Sequence, residues 1–292
     1  MKITITGSLG NISKPLAENL IAAGHQITIV SSNANKAEAI KSLGATPAIG
    51  SVEDIDFLTQ AFTGADAVYT MVPPNFATNS WKKFIAGIGQ NYAVAIKNAG
   101  VKKVVNLSSI GGHLPEGAGP ISGMHHAEVE LDKLEDVNIL HLRPGFFFTN
   151  FYHNVDMVKN MNIIGANYKP DSLIAAVSPA DIAVAAADAL KADLQGKSHV
   201  YIVGSEQTST EVAAILGAAI GKPELPWVEF ADEDVVNAME KNGATHDVAV
   251  NYAEMGAVIK TGQINEDYKT SKNVIIGKVT LADFAKDFAK AF

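Results

Sequence analysis

Between a first strand-like run, Lys2-Ile-Thr-Ile-Thr6, and an apolar-periodic run ending at Ala23 lies the turn Gly7-Ser8-Leu9-Gly10-Asn11-Ile12-Ser13. With no side chain at Gly7 and Gly10, backbone N–H groups can come close to an anion, because a Cβ would fill that space or forbid the backbone angles. The helix starting near Asn11 aims the positive end of its dipole at the same spot. A second strand, Gln26-Ile-Thr-Ile-Val30, follows, so the turn sits at the carboxyl end of the first strand of a βαβ unit. The spacing is G-x-x-G-x-x-S, and Ser13 takes the place of the third small residue that lets helix pack on strand. Residues Gly7, Ser8, Leu9, Gly10, Asn11 and Ile12 therefore read as the seat of a dinucleotide pyrophosphate. The alternative is a tight turn that binds nothing.

The rest of the first half repeats that alternation. Strand-like runs at Thr46–Ile49, Ala67–Met71, Lys103–Leu107 and Asn138–Leu142 are separated by helical patterns over Lys36–Leu43, Ile55–Thr63, part of Asn79–Asn98 and Gly123–Glu135. Such a rhythm predicts a parallel sheet with right-handed crossovers. Beyond Arg143 the texture changes to Pro-Gly, three Phe and a polar-aromatic stretch, Asn150–Asp171. Pro179–Leu190 and Val200–Val203 then restore the rhythm, and the chain from Thr210 on is mostly helical in pattern. The expected fold is α/β: a doubly wound parallel sheet (Rossmann) with a smaller, mostly helical C-terminal lobe. Residues 1–150 are expected to bind the dinucleotide, with 176–204 returning to them, and 151–292 to form the small substrate lobe.

Composition excludes several functions. The chain has no cysteine, so it has no disulfide, thiolate metal site or cysteine nucleophile, and redox chemistry has to come from a cofactor. A net charge of −8 with no basic helix face argues against direct nucleic-acid binding. No apolar run reaches the roughly 18–20 residues needed to span a bilayer, and Met1-Lys2-Ile3 enters a strand directly, so a cytoplasmic protein free of membranes is expected. Eight histidines include the adjacent pair His125 and His126, but no H-x-x-x-H or carboxylate cluster has metal-ligand spacing, and no metal is expected.

The choice between NADP and NAD falls at the end of the second strand, where an acidic residue would bond the ribose 2′-OH and repel a 2′-phosphate. Here stand Ser31, Ser32 and Asn33, with Lys36 beyond. Hydroxyl and amide groups with a nearby cation suit a 2′-phosphate, so NADP(H) is expected, NAD being the alternative. Ser31, Ser32 and Asn33 equally suit capping of the helix that follows, and Asp54 has the same second role at the next helix.

Several motifs in order resemble one family. Thr6-Gly-Ser-Leu-Gly10, Val72-Pro-Pro74, Asn106-Leu-Ser-Ser109, Leu142-Arg-Pro-Gly145 with Asn150, and Ser178-Pro-Ala-Asp-Ile182 together resemble the NmrA-like group of atypical short-chain dehydrogenases, over nearly the whole chain. That group includes NAD(P)H-dependent quinone and dye reductases and non-catalytic nucleotide sensors. The resemblance implies a cofactor across the ends of the first, second, fourth and fifth strands. Met71, Val72, Pro73, Pro74, Asn106, Leu107, Ser108, Pro144 and Phe146 would then line it, with Asp54 near the adenine.

Typical short-chain dehydrogenases use a Ser and a Tyr-x-x-x-Lys pair. Ser108 and Ser109 stand at the serine positions, but no Tyr occurs between Tyr92 and Tyr152, and the helix reads Gly123-Met-His-His126-Ala-Glu-Val-Glu130. His126 and His125 are the candidate proton donors, with His113 a further one; each also reads as a surface or capping residue. Phe76, Phe147, Phe148 and Tyr152 are the candidate walls of an apolar acceptor pocket, although Phe146–Phe148 equally reads as core at the lobe junction. Two functions follow: an NAD(P)H-dependent oxidoreductase passing hydride to a small planar acceptor such as a quinone, or a non-catalytic NADP(H)-binding redox sensor. A nucleotide-sugar epimerase would need the missing Tyr and Lys. The expected partner is the small-molecule acceptor, with a homodimer left open.

Overall fold

The computed structural model describes residues 1–292. The first half runs β1 (Lys2–Ile5), α1 (Ser13–Ala22), β2 (Gln26–Ser31), α2 (Ala37–Ser42), β3 (Thr46–Ile49), α3 (Ile55–Phe62), β4 (Ala67–Thr70), α4 (Trp81–Ala99), β5 (Lys103–Leu107), α5 (Pro120–Asp132) and β6 (Asn138–Pro144). It continues with β7 (Phe146–Phe147), a 3-10 segment Phe148–Asn154, α6 (Val155–Met161), β8 (Ile164–Ala166), β9 (Leu173–Val177), α7 (Pro179–Lys191) and β10 (Lys197–Val203). The last stretch holds β11 (Ser205–Thr208), α8 (Ser209–Ala219), β12 (Trp227–Glu229), α9 (Asp232–Lys241), α10 (His246–Thr261), α11 (Glu266–Thr270), β13 (Val274–Ile276) and α12 (Leu281–Phe288).

Eight strands form one sheet in the order β13-β10-β6-β5-β4-β1-β2-β3, every neighbouring pair parallel. The chain winds outward from β1 to β3, then crosses back to β4 on the other side of β1. That reversal opens a crevice at the strands' carboxyl ends, where ligands of such sheets bind. Burial on both faces explains why the central strands read as apolar runs rather than alternating ones. Ile3, Ile5 and Ile29 pack with Leu16 and Leu20 of α1 and Ile182 and Leu190 of α7. The opposite face buries Leu58, Phe62, Ile85, Tyr92 and Leu131 from α3, α4 and α5.

The small lobe has its own core, in which Phe148, Phe151, Trp227, Phe284 and Phe288 meet Tyr201 of β10. It carries two small sheets, β11-β9-β7 and β12-β8. Its helices dominate as expected, but β13 was not legible: Val274-Ile-Ile276 is three residues between Asn273 and Gly277, too short to show a period. Nor were the short strands β7, β8, β9, β11 and β12 expected; in the elements the sequence did indicate, boundaries moved by a turn or less. The helix expected from Asn11 begins at Ser13, the one expected from Lys36 opens with a 3-10 turn at Ala34–Lys36, and the one expected from Gly123 begins at Pro120.

Helices α4 and α5 touch almost backbone to backbone. A Cβ at Gly89 would lie 2.6 Å from the Ala127 Cα, and one at Gly123 would lie 2.9 Å from Ile85 Cβ. Gly89→Val is therefore expected to destabilise the protein by roughly 1–3 kcal/mol through overpacking. Urea unfolding measures this, and an unchanged midpoint would contradict the packing.

Candidate functional site

The glycine turn is built from β1 upward. The Thr6 N–H donates to Tyr69 O at 3.0 Å, continuing the ladder one residue past the strand. Gly7 then turns with φ +90°, and a Cβ there would lie 2.5 Å from Ser13 Oγ and 2.9 Å from the Met71 side chain. Below it the buried Ser13 hydroxyl donates to Thr6 O at 2.8 Å, clamping α1 to β1. Ser8, also left-handed at φ 56°, donates its N–H to Val30 O at 3.0 Å and its hydroxyl to Ser31 Oγ at 2.9 Å, so the turn grips the end of β2.

What the turn leaves free decides what it can hold. The N–H groups of Leu9, Asn11 and Ile12 find no acceptor in the protein. The N-terminus of α1 has no side-chain cap and no acidic residue in its first turn. Gly10 is exposed, and a Cβ there would meet only Gly7 O, at 3.1 Å. Free donors, an uncapped dipole and bare backbone make an anion seat, so the residues fit the pyrophosphate.

At the end of β2 the expected donors divide. Ser31 is buried, accepting from Ser8 Oγ and, at 3.2 Å, from the Asn33 N–H. Asn33 Oδ1 caps the next turn by accepting from the Asn35 N–H at 2.9 Å. Exposed Ser32 and half-buried Lys36 form no side-chain bond within the protein and remain available. Asp54 is the cap of α3, its Oδ1 accepting from the Phe57 N–H at 3.0 Å.

Next to the turn, at the carboxyl ends of β4, β5 and β6, opens a cavity of about 480 Å³. Met71 joins the two, lying against Gly7 on one side and lining the cavity on the other. Of the sequence candidates, Val72, Pro73, Pro74 and Phe76 after β4, Leu107 and Ser108 at the end of β5, and Phe146 and Phe147 of β7 line it. Ser108 Oγ is buried with no hydrogen-bond partner.

Other candidates lie elsewhere. The Asn106 amide is held inside the sheet, accepting from Thr70 Oγ1 at 2.8 Å and donating to His141 Nδ1 at 3.1 Å, while His141 Nε2 faces Asp132 at 3.1 Å. Pro144 is buried within β6, and its carbonyl accepts from the Ile110 N–H at 2.8 Å. Phe148 is fully buried against Phe284, rings 5.6 Å apart, and Tyr152 packs on Phe284 and Phe288 rather than into the cavity. Neither His125 nor His126 lines it. The His125 ring bonds Gly112 O through Nδ1 at 2.8 Å, and His126 lies on the exposed side, 3.8 Å from Glu116.

Sequence reasoning missed Asn265, Met124, Met255 and His153, all of which line the cavity. They come from segments distant in sequence, and no local spacing marks them. The walls are tied together by Arg143. It donates to Glu128 at 3.0 and 2.6 Å, to Gly112 O at 3.3 Å beyond Ser108–Ile110, and to Asp267 at 3.2 Å beyond Ile264–Asn265. A hydrogen bond from Tyr201 holds the Asp267 carboxyl below the usual carboxylate range, so it stays ionised. His113, beside this network, is pushed below the ordinary imidazole range by burial, with Asp267 opposing.

Known proteins point the same way. Residues 7–150 match the family described as NAD(P)H-binding. The fold resembles a NADPH-dependent quinone oxidoreductase from Escherichia coli, 25% identical over 98% of both chains with a TM-score of 0.79. It also resembles the Citrobacter sp. triphenylmethane reductase, crystallised with NADP(H), at 21% identity over 99% of this chain and 100% of that one, TM-score 0.81. A nucleoside-diphosphate-sugar epimerase from Staphylococcus aureus shares the fold at 17% identity over 98% of this chain and all of its own, TM-score 0.78. Among curated sequences, a Schizosaccharomyces pombe protein is 32% identical over 68 residues, which span 23% of this chain and 23% of that protein.

No helix is long and apolar enough to cross a membrane. Gly10 lies outside the left-handed region, so Gly10→Val is expected to fold. Its branched side chain would occupy the anion seat, and dinucleotide affinity should fall at least about 100-fold. Calorimetric titration with NADPH measures this; unchanged affinity would move the pyrophosphate elsewhere.

Proposed function

For a chain whose residues 7–150 match the NAD(P)H-binding family, we propose an NADP(H)-dependent reductase of uncharged planar acceptors such as quinones. The observation that carries this reading is the cavity wall. It joins the glycine turn through Met71, is built largely of aromatic, methionine and aliphatic side chains, and contains no Asp, Glu, Lys or Arg. A charged substrate would leave water there without a counter-charge, at a cost of several kcal/mol. A flat neutral ring instead finds Phe76, Trp81, Phe146 and Phe147, with Met71, Met124 and Met255 filling irregular space.

The free N–H groups of Leu9, Asn11 and Ile12 would hold the pyrophosphate, and Ser32 and Lys36 the 2′-phosphate. When bound, the nicotinamide supplies a hydride to the acceptor. The protein's part is positioning: the apolar walls exclude water and orient the ring. The unpartnered Ser108 hydroxyl gains its missing bond by donating to the acceptor's carbonyl oxygen. No Tyr-x-x-x-Lys pair is needed for a two-electron transfer to such an acceptor, since the remaining task is delivery of a proton.

A second reading, a non-catalytic NADP(H) sensor, draws on α5, which offers neither Tyr nor Lys in the short-chain dehydrogenase register. One cuvette separates the two. The purified protein is titrated with NADPH and with NADH; then a simple quinone or a cationic triphenylmethane dye is added while nicotinamide absorbance is followed. Tighter binding of NADPH, with oxidation faster for the quinone than for the cationic dye, is expected. Tight binding with no oxidation by any acceptor would leave the sensor. Ser32→Asp should lower NADPH affinity roughly tenfold relative to NADH by setting a carboxylate beside the phosphate. An unmoved ratio of affinities would place the 2′-phosphate away from Ser32.

A further inference from the structure

The reduction of a carbonyl acceptor consumes a proton, and the cavity wall offers one ionisable side chain to give it. Among the lining residues only His153 carries an ionisable side chain; the others are apolar or carry neutral hydroxyl, amide or backbone groups. We infer that His153 is the proton-donating catalytic residue of the acceptor site, a role that rests on the reductase reading above.

His153 belongs to the 3-10 segment Phe148–Asn154 that follows the Phe146–Phe147 wall. Phe148 and Phe151, buried on either side of the cavity-lining Asn150, anchor that segment, with the Phe151 ring 5.0 Å from Phe146 and the Phe148 ring 5.6 Å from Phe284. A site on so fixed a turn keeps its geometry between turnovers. His153 itself is exposed and has no hydrogen-bond or ion-pair partner in the protein, so its nitrogens are free both for the acceptor and for exchange with solvent.

The other histidines near the cavity are unsuited. His125 donates Nδ1–H to a carbonyl, His126 lies on the outer side, and half-buried His113, its affinity for a proton lowered by burial, lies outside the lining.

The chemistry balances simply. The imidazolium N–H bond breaks as an O–H bond forms on the acceptor oxygen. The bonding pair stays on the ring nitrogen, the two reducing electrons come from the reduced nicotinamide, and water returns the proton to His153. Imidazole is the side chain whose ordinary titration falls in the neutral range, which suits this exchange. The charged groups on the elements packed against Phe148–Asn154 are Asp156 and Lys159 on α6 and Asp283, Lys286 and Asp287 on α12. β7 carries none. Asp283 pairs with Lys286 at 2.9 Å and Asp287 with Lys290 at 2.6 Å, and no carboxylate comes within ion-pair distance of His153.

The test joins two readouts on the full chain. His153→Gln should lower quinone turnover on the order of 100-fold and abolish its decline with rising pH, while leaving NADPH affinity within about twofold. Independently, 1-naphthol, a redox-inert stand-in for the reduced acceptor, should shift the imidazole NMR signals that His153→Gln removes and spare those of His125 and His126. Naphthol binding that leaves the His153 signals unmoved, or a His153→Gln enzyme with wild-type turnover and pH profile, overturns the assignment while the reductase reading stands. A cavity that binds no naphthol, in a protein that oxidises no NADPH with any quinone, overturns both.

Discussion

The hydrogen bond from the Ser13 hydroxyl to the Thr6 carbonyl lies beneath everything else at the glycine turn. It draws the first turn of α1 so close to β1 that only a glycine fits at position 7, in a turn whose Leu9, Asn11 and Ile12 N–H groups have no acceptor. A larger residue at 13 or 7 would push helix from strand and turn those donors elsewhere. The same turn then reaches β2 through Ser8 and abuts Met71 after β4, so one short contact fixes the relation of three strands at the point where sheet order reverses.

The cavity depends on a different kind of restraint. Its walls are contributed by the loops after β4, β5 and β6, by β7 and β9, by helices α4, α5 and α10, and by the segment between α10 and α11. Arg143 reaches two of them from β6, through Gly112 O and Asp267, and its charge is balanced by buried Glu128. A planar guanidinium presents several donors in a fixed fork, so it can hold both walls at once. An ammonium at the end of a flexible chain would not hold them in one geometry. Buried ion pairs of this kind add little net stability but resist rearrangement, because removing either partner strands the other's charge.

The fold and the glycine turn with its unpaired N–H groups were legible because they are local. The strand-turn-helix around Gly7 and Gly10, and the alternation that follows, are patterns of neighbours in sequence, and the structure reproduces them within a turn. The acceptor site was legible only in part. Phe76 and Phe147 reach the cavity, whereas Phe148 and Tyr152, one and five residues past Phe147, turn into the lobe core. The 3-10 segment decides which aromatic faces which way, and adjacency in sequence does not reveal it. Asn106 looked available because its partners, Thr70 and His141, are 36 and 35 residues away. His153 and Asn265 carried no signal at all, since each takes its place only when the lobe folds against the sheet.

The edge strand β13 completes the sheet from near the end of the chain. Tyr201, Ile202 and Val203 of β10 pair with Val274, Ile275 and Ile276 from near the C-terminus, and Asp267, just before that strand, supplies the carboxylate for Arg143. The hydrogen-bond partners of the glycine turn, Thr6, Val30, Ser31 and Tyr69, all lie in the first 70 residues, whereas the cavity wall of Ile264 and Asn265, and the Asp267 that braces it, come from the last 30. Removing the chain from Ile264 on would take away part of the cavity wall and the second carboxylate on Arg143, but no hydrogen-bond partner of the glycine turn.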